Sequence, residues 1–173
     1  MPKLRGSSKG AKKRYAGLVK GKLDITGLEA VRKDWTPLAK KFQIGLLLQI
    51  FKKKDPTIYI TKFNQDLLNK KYDDLLVYKK SLRKPLEEYL VNTPHKKAAL
   101  KLIEAKGKIE SNVIRYIITK DGPEPIEAIK HEIDYEHYQK KQLKPIADSI
   151  LTFFNTDFDR ITKNKNQKTL FNF

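Results

Sequence analysis

A chain of 173 residues with 37 Lys or Arg against 20 Asp or Glu carries a formal net charge of +17, which calls for a polyanionic partner. Nucleic acid suits that balance better than a membrane surface, because no apolar stretch approaches the ~20 residues of a spanning helix or the form of a signal peptide. Without cysteine there is no disulfide framework or thiolate zinc site, and His95, His131 and His137 lack metal-cluster spacing and read as surface or boundary residues. The length allows one domain or two small subdomains, expected to be soluble, cytoplasmic and nucleoid-associated.

Residues 1–22 hold eight Lys or Arg and no Asp or Glu, with Gly6, Ser7, Ser8 and Gly10 leaving little to pack. Residues 1–11 read as a flexible basic arm. Tyr15 to Val19 and Leu23 to Thr26 alternate on either side of Lys20-Gly21-Lys22, a hairpin signal. Thr36 and Pro37 supply an N-cap and first helical residue, and Leu38, Phe42, Leu46 and Ile50 predict a helix to about Lys53. Asp55-Pro56 breaks it, and Phe63, Leu67 and Tyr72 suggest a weaker second helix ending before Asp73-Asp74.

Residues 75–89 are mixed in pattern, with Pro85 opening a short helix that contains Leu86 and Tyr89. Thr93-Pro94-His95 starts an amphipathic helix through Ala98, Ala99, Leu102 and Ile103, stopped by Gly107. Val113 to Thr119 reads as a strand ended by an Asp121-Gly122-Pro123 turn. Leu143, Ile146, Ala147, Ile150, Leu151 and Phe154 form a core-facing stripe, with Pro145 in its first turns or kinking it. Beyond Asn155 the pattern turns polar, and 162–168 reads as a tether.

The order of local motifs carries a resemblance. Lys12-Lys13-Arg14-Tyr15 precedes the hairpin, Gly27-Leu28-Glu29 leads to Arg32-Lys33-Asp34-Trp35, and Leu82-Arg83-Lys84-Pro85-Leu86-Glu87-Glu88-Tyr89 is followed by Pro94-His95. Lys106-Gly107, Asp121-Gly122-Pro123, Asp134-Tyr135-Glu136-His137-Tyr138 and Gln142-Leu143-Lys144-Pro145 complete the series. From about Lys12 to Phe154 the chain resembles the C-terminal part of family B DNA polymerases. The resemblance implies an α+β fold: residues 12–40 form a palm-edge hairpin, 41–155 a mainly helical thumb with a small strand element, and 156–173 a tail.

By this resemblance Lys13 and Tyr15 reach the minor groove near the primer end, where acceptors are nearly common to all correct pairs and donors sense pair geometry rather than sequence. Lys12 and Arg14 belong to the same segment; read without the family, these cations solvate a strand end and Tyr15 packs in the core. The thumb would grip duplex phosphates through Arg83, Lys84, His95, Lys96, Lys97 and Arg115, aided by the backbone amides at the His95 helix start. Each of these equally suits an ordinary solvated charge.

Neither the motif ending Tyr-Pro-Ser nor the Asp-Thr-Asp hairpin that holds the family's catalytic metals occurs in the sequence, and the exonuclease carboxylates are absent too. No catalytic or metal-binding residue is therefore expected here, and Asp157-Phe158-Asp159 lies in the polar tail. With Met1 shortly before the Lys12 motif, the chain resembles the small subunit of a split archaeal replicative polymerase, or an isolated thumb fragment. That reading places Mg2+ on a large catalytic subunit, with an apolar interface near the hairpin and Trp35.

Gln167, Leu170 and Phe173, with Phe171 between, are similar to the PIP box by which replication proteins plug into the PCNA sliding clamp. One helical turn would align Leu170 and Phe173. The same residues also suit a hydrophobic terminus folded back on the core. A stand-alone nucleic-acid-binding protein is the alternative function, since +17 suffices for counterion release alone.

Overall fold

The computed structural model describes residues 14–163. It opens with the expected antiparallel hairpin of β1 (Tyr15–Val19) and β2 (Lys22–Thr26), paired from Tyr15 opposite Thr26 to Val19 opposite Lys22. Lys20 and Gly21 close it at φ of +49° and +75°. Two positive φ values give the turn whose twist matches a hairpin; Gly21 adopts one freely, while Lys20 sits where side-chain-bearing residues are uncommon.

After a 3₁₀ turn at Glu29–Val31, α1 (Pro37–Phe51) starts as predicted, with the Thr36 Oγ1 accepting from the Ala39 N–H at 3.3 Å. Asp55-Pro56 does more than break it. Asp55 Oδ1 accepts from the Thr57 N–H at 2.8 Å and Pro56 occupies the first helical position, so the same pair starts α2 (Pro56–Leu68). Helices α1 and α2 meet through Phe42 and Phe63, 5.0 Å between centroids, and Tyr72, beyond the end of α2, stacks on Phe63 at 4.6 Å. Gly45 permits that approach: a Cβ there would stand 2.0 Å from the Tyr59 hydroxyl.

The second sheet was only half expected. Strand β4 (Val113–Thr119) is central, flanked by β3 (Tyr78–Ser81) and β5 (Gly122–Pro125), both antiparallel to it. Gly122-Pro123 thus belongs to a strand and not to the turn. Its prolines are tolerated because β5 is an edge. The helix expected from Pro85 is a single 3₁₀ turn, Leu86–Glu88, with Tyr89 just past its end. Helix α3 (Pro94–Lys106) ends at Gly107, φ +78°, and lays Ala98, Ala99 and Leu102 on the sheet.

The final helical run begins eight residues before the expected Leu143: α4 (Tyr135–Tyr138), a π-helical stretch Gln139–Leu143, then α5 (Lys144–Leu151). Widening to π geometry directly before Pro145 gives room to a ring that would otherwise strike the preceding turn. Residues after Asn155 are not all polar tail. Helix α6 (Phe158–Lys163) buries Phe158 and Ile161, its first turn capped by Asp157 Oδ1 accepting from the Arg160 N–H at 2.9 Å.

Neutral polar groups join segments far apart in sequence. The Tyr138 hydroxyl, fully buried, donates to the Leu76 carbonyl and accepts from the Ile118 N–H, both at 2.9 Å. Gln142 Oε1 accepts from the Thr36 hydroxyl at 2.7 Å, and Gln139 Nε2 donates to Asn64 Oδ1 at 2.6 Å. One apolar core runs through all these elements, from Leu28 to Ile161. Among the described residues no helix is long and apolar enough to cross a membrane.

Candidate nucleic-acid interface

Residues 79–97 carry six Lys or Arg against two Glu. Pairing of β3 with β4 sets Lys79 beside Arg115 on the outer face, while Tyr78 stacks on Tyr116 at 5.3 Å toward the core. The Leu82 N–H reaches the Asn112 carbonyl at 2.7 Å, and the chain then leaves the sheet as a loop organised around one ring. Tyr89 accepts the Arg83 N–H on its hydroxyl at 3.0 Å, holds the Lys84 ammonium 5.1 Å above its face, and meets His95 edge-on at 5.5 Å. Lys84 Nζ also donates to the Glu88 carbonyl, and Lys96 Nζ to the Tyr89 carbonyl at 2.8 Å.

Lys84 and Lys96 bond to carbonyls and a ring, not to acids. Lys79, Lys80, Arg83, Lys84, Lys96 and Lys97 form no ion pair among the described residues, unlike Lys101, Lys120, Lys140 and Lys144. Three basic residues, His95, Lys96 and Lys97, occupy the first turn of α3, where open N–H groups and the helix dipole prefer negative charge. Within the chain that placement is unfavourable; against an anion it becomes favourable. His95 is not one of the charges near neutrality. Burial and the neighbouring Lys80 lower its pKa, and its ring bonds to the Thr93 hydroxyl at 3.3 Å.

Other expected contacts are engaged elsewhere. Arg14 pairs with Glu29, whose second oxygen accepts from Gln43 Nε2 at 2.7 Å, and the Tyr15 hydroxyl donates to Asp24 at 3.1 Å. Arg115 reaches Glu127 at 3.2 Å. Lys12, Lys13, Gln167, Leu170, Phe171 and Phe173 lie outside the described residues. Near the hairpin Val19 and Val31 stand half exposed and Trp35 is partly buried. What sequence reasoning missed are Lys79 and Lys80, hidden in an unrecognised strand, and the exposed pair Leu90-Val91.

The two carboxylates of Asp157-Phe158-Asp159 are both held by cations. Asp157 pairs with Arg160 at 3.3 Å and Asp159 with Lys144 at 2.7 Å, which draws the Asp159 carboxyl below its usual range. Asp121, Glu124 and His131 come close enough among the described residues to share a metal ion. Lys101 Nζ already stands 2.7 Å from Asp121 and 3.4 Å from Glu124, so a cation occupies that position and the group does not suit catalytic Mg2+. Burial would raise the Glu124 pKa, yet the N–H of Lys130, the imidazole and N–H of His131 and the charge of Lys101 together bring it down to about 2.

These residues match a family directly: the model for DNA polymerase family B aligns with residues 10–164. The chain belongs to DNA polymerase family B. It is 39% identical over 170 residues to DNA polymerase II of Escherichia coli strain K12, covering 91% of this chain and 22% of that protein. DNA polymerase 2 of Aeropyrum pernix is 36% identical over 177 residues, covering 94% and 22%. The structure of the family B DNA polymerase of Pyrobaculum calidifontis superposes with a TM-score of 0.67 at 29% identity, over 82% of this chain and 20% of that one. This chain thus spans about a fifth of the length of the relatives it matches.

Proposed function

We propose that this family B chain is the noncatalytic, thumb-bearing part of a DNA-directed DNA polymerase, gripping primer–template duplex behind an active site whose Mg2+-binding aspartates lie on other polypeptide, as in the small subunit of a split polymerase. One observation carries the grip: Lys84, Lys96 and Lys97 stand at or beside the start of α3, and none of the six cations of residues 79–97 forms an ion pair among the described residues, which suits a row of phosphates. Lys79, Lys80, Arg83, Lys84, Lys96 and Lys97 supply the charge, and His95 orders the loop beside them. Lys12 and Lys13 would extend the contact toward the primer end, and the half-exposed Val19 and Val31 near Trp35 would seat against the remaining palm.

Gln167, Leu170, Phe171 and Phe173 would tether the assembly to a PCNA-type sliding clamp. Reconstitution tests the reading. Adding the full chain to a companion polypeptide that holds the catalytic aspartates should raise processive primer extension at moderate salt, and deleting residues 167–173 should abolish clamp stimulation while sparing basal extension. Full, salt-resistant extension by the companion alone would defeat the proposal. Equal affinity for junctions, plain duplex and single strands would favour the simpler basic binder.

A further inference from the structure

Leu90 is 98% exposed and Val91 70%, the most exposed apolar pair among the described residues, and both project from a loop that is held and not slack. Tyr89 directly before them is fixed by the Arg83 N–H, the His95 ring and Lys96 Nζ on its carbonyl. The Val91 carbonyl directly behind accepts from the Thr93 N–H at 2.9 Å. Lys84 and Lys96, from the two ends of the loop, set their ammonium groups on the Glu88 and Tyr89 carbonyls just before the tip. An apolar point braced by its own backbone, with two ammonium groups beside it, suits a surface with an anionic rim and a less polar floor.

We propose that Leu90 and Val91 form a wedge that enters the minor groove of duplex DNA, pressing on sugar and base edges while Lys84, Lys96 and Arg83 take the adjoining phosphates. This rests on the grip reading above and adds a contact that reads groove shape, not charge. The commitment to DNA follows from charge: six Lys or Arg outnumber two Glu across residues 79–97, a rim that a nucleic-acid backbone complements. Minor-groove proteins use apolar side chains in this way, unstacking a base step at the point of insertion. Because the tip is already ordered, little further freedom is lost on contact.

The test uses the full chain and a primer–template duplex carrying 2-aminopurine at successive positions behind the junction. Binding by the parent should brighten the probe at one or two adjacent steps. L90S/V91S should erase that signal and weaken binding roughly tenfold while leaving the salt slope unchanged, since an apolar contact releases no counterions. L90F should keep the signal, and K84A/K96A should lower the slope by about one per charge. Unchanged affinity with a silent probe in the parent overturns the wedge, as does an L90S/V91S variant that binds DNA normally but loses a protein companion or self-association. A parent-like slope in K84A/K96A overturns the grip beneath it, whereas a reduced slope with a silent probe leaves the grip standing and removes the wedge alone. Circular dichroism on L90S/V91S should match the parent, because neither side chain is packed.

Discussion

The junction around Tyr138 and the loop around Tyr89 use the same residue in opposite ways. Tyr138 is fully buried, its hydroxyl bridging Leu76 and Ile118, and it holds the sheet to the helices with neutral groups whose positions are fixed by the fold. Tyr89 organises a surface segment from within, collecting Arg83, Lys84, Lys96 and the neutral ring of His95, and none of the three cations forms an ion pair among the described residues. Interior polarity here joins the elements of the fold, and surface polarity, in the proposed function, meets the phosphates. A change at one should leave the other largely intact.

The sharpest break of that contrast is Tyr138→Phe. It strands a buried carbonyl and a buried N–H, and should cost about 2–4 kcal/mol in urea unfolding while the salt slope of DNA binding stays put. Glu124 offers a pH test of the interior. Its carboxylate is lowered to about 2 in the fold, so the stability it contributes is complete above the unfolded value near 4.5 and is lost as pH falls through about 2. Stability should drop over that window by on the order of 3 kcal/mol, and Glu124→Gln should flatten the drop. Thr36→Ala removes the cap of α1 and the partner of Gln142, for about 1–2 kcal/mol in thermal or urea melts. The smallest effect belongs to the exposed Glu136–Lys140 pair: Lys140→Ala should leave the urea midpoint within experimental error of the parent.

Much of the frame could be read in advance because its signals are local. Thr36-Pro37 and Thr93-Pro94 start α1 and α3, Gly107 stops α3, and the alternation around Lys20-Gly21 is a hairpin. Strand β3 escaped because Tyr78-Lys79-Lys80-Ser81 has no apolar alternation and is a strand only by pairing with residues over thirty positions away. Strand β5 was masked by its two prolines, and α6 by the charges around Phe158 and Ile161. The cationic region was legible in outline at Arg83, Lys84, Lys96 and Lys97. Which cations are free was not, since the acids that hold Arg14 and Arg115 lie 15 and 12 positions away and meet them only in three dimensions.

That distinction is the central claim, and the salt dependence of binding measures it directly. The logarithm of primer–template affinity should be followed against the logarithm of salt for the parent, for K79A/K80A/R83A/K97A, and for R32A/K71A/K120A/K140A, whose targets are paired with Asp34, Asp66, Glu132 and Glu136. Removing the four cations without acidic partners should reduce the slope by roughly three to four, while removing four paired ones should change it by less than about one. Equal reductions in the two variants would show that charge acts without regard to place, and would contradict the account.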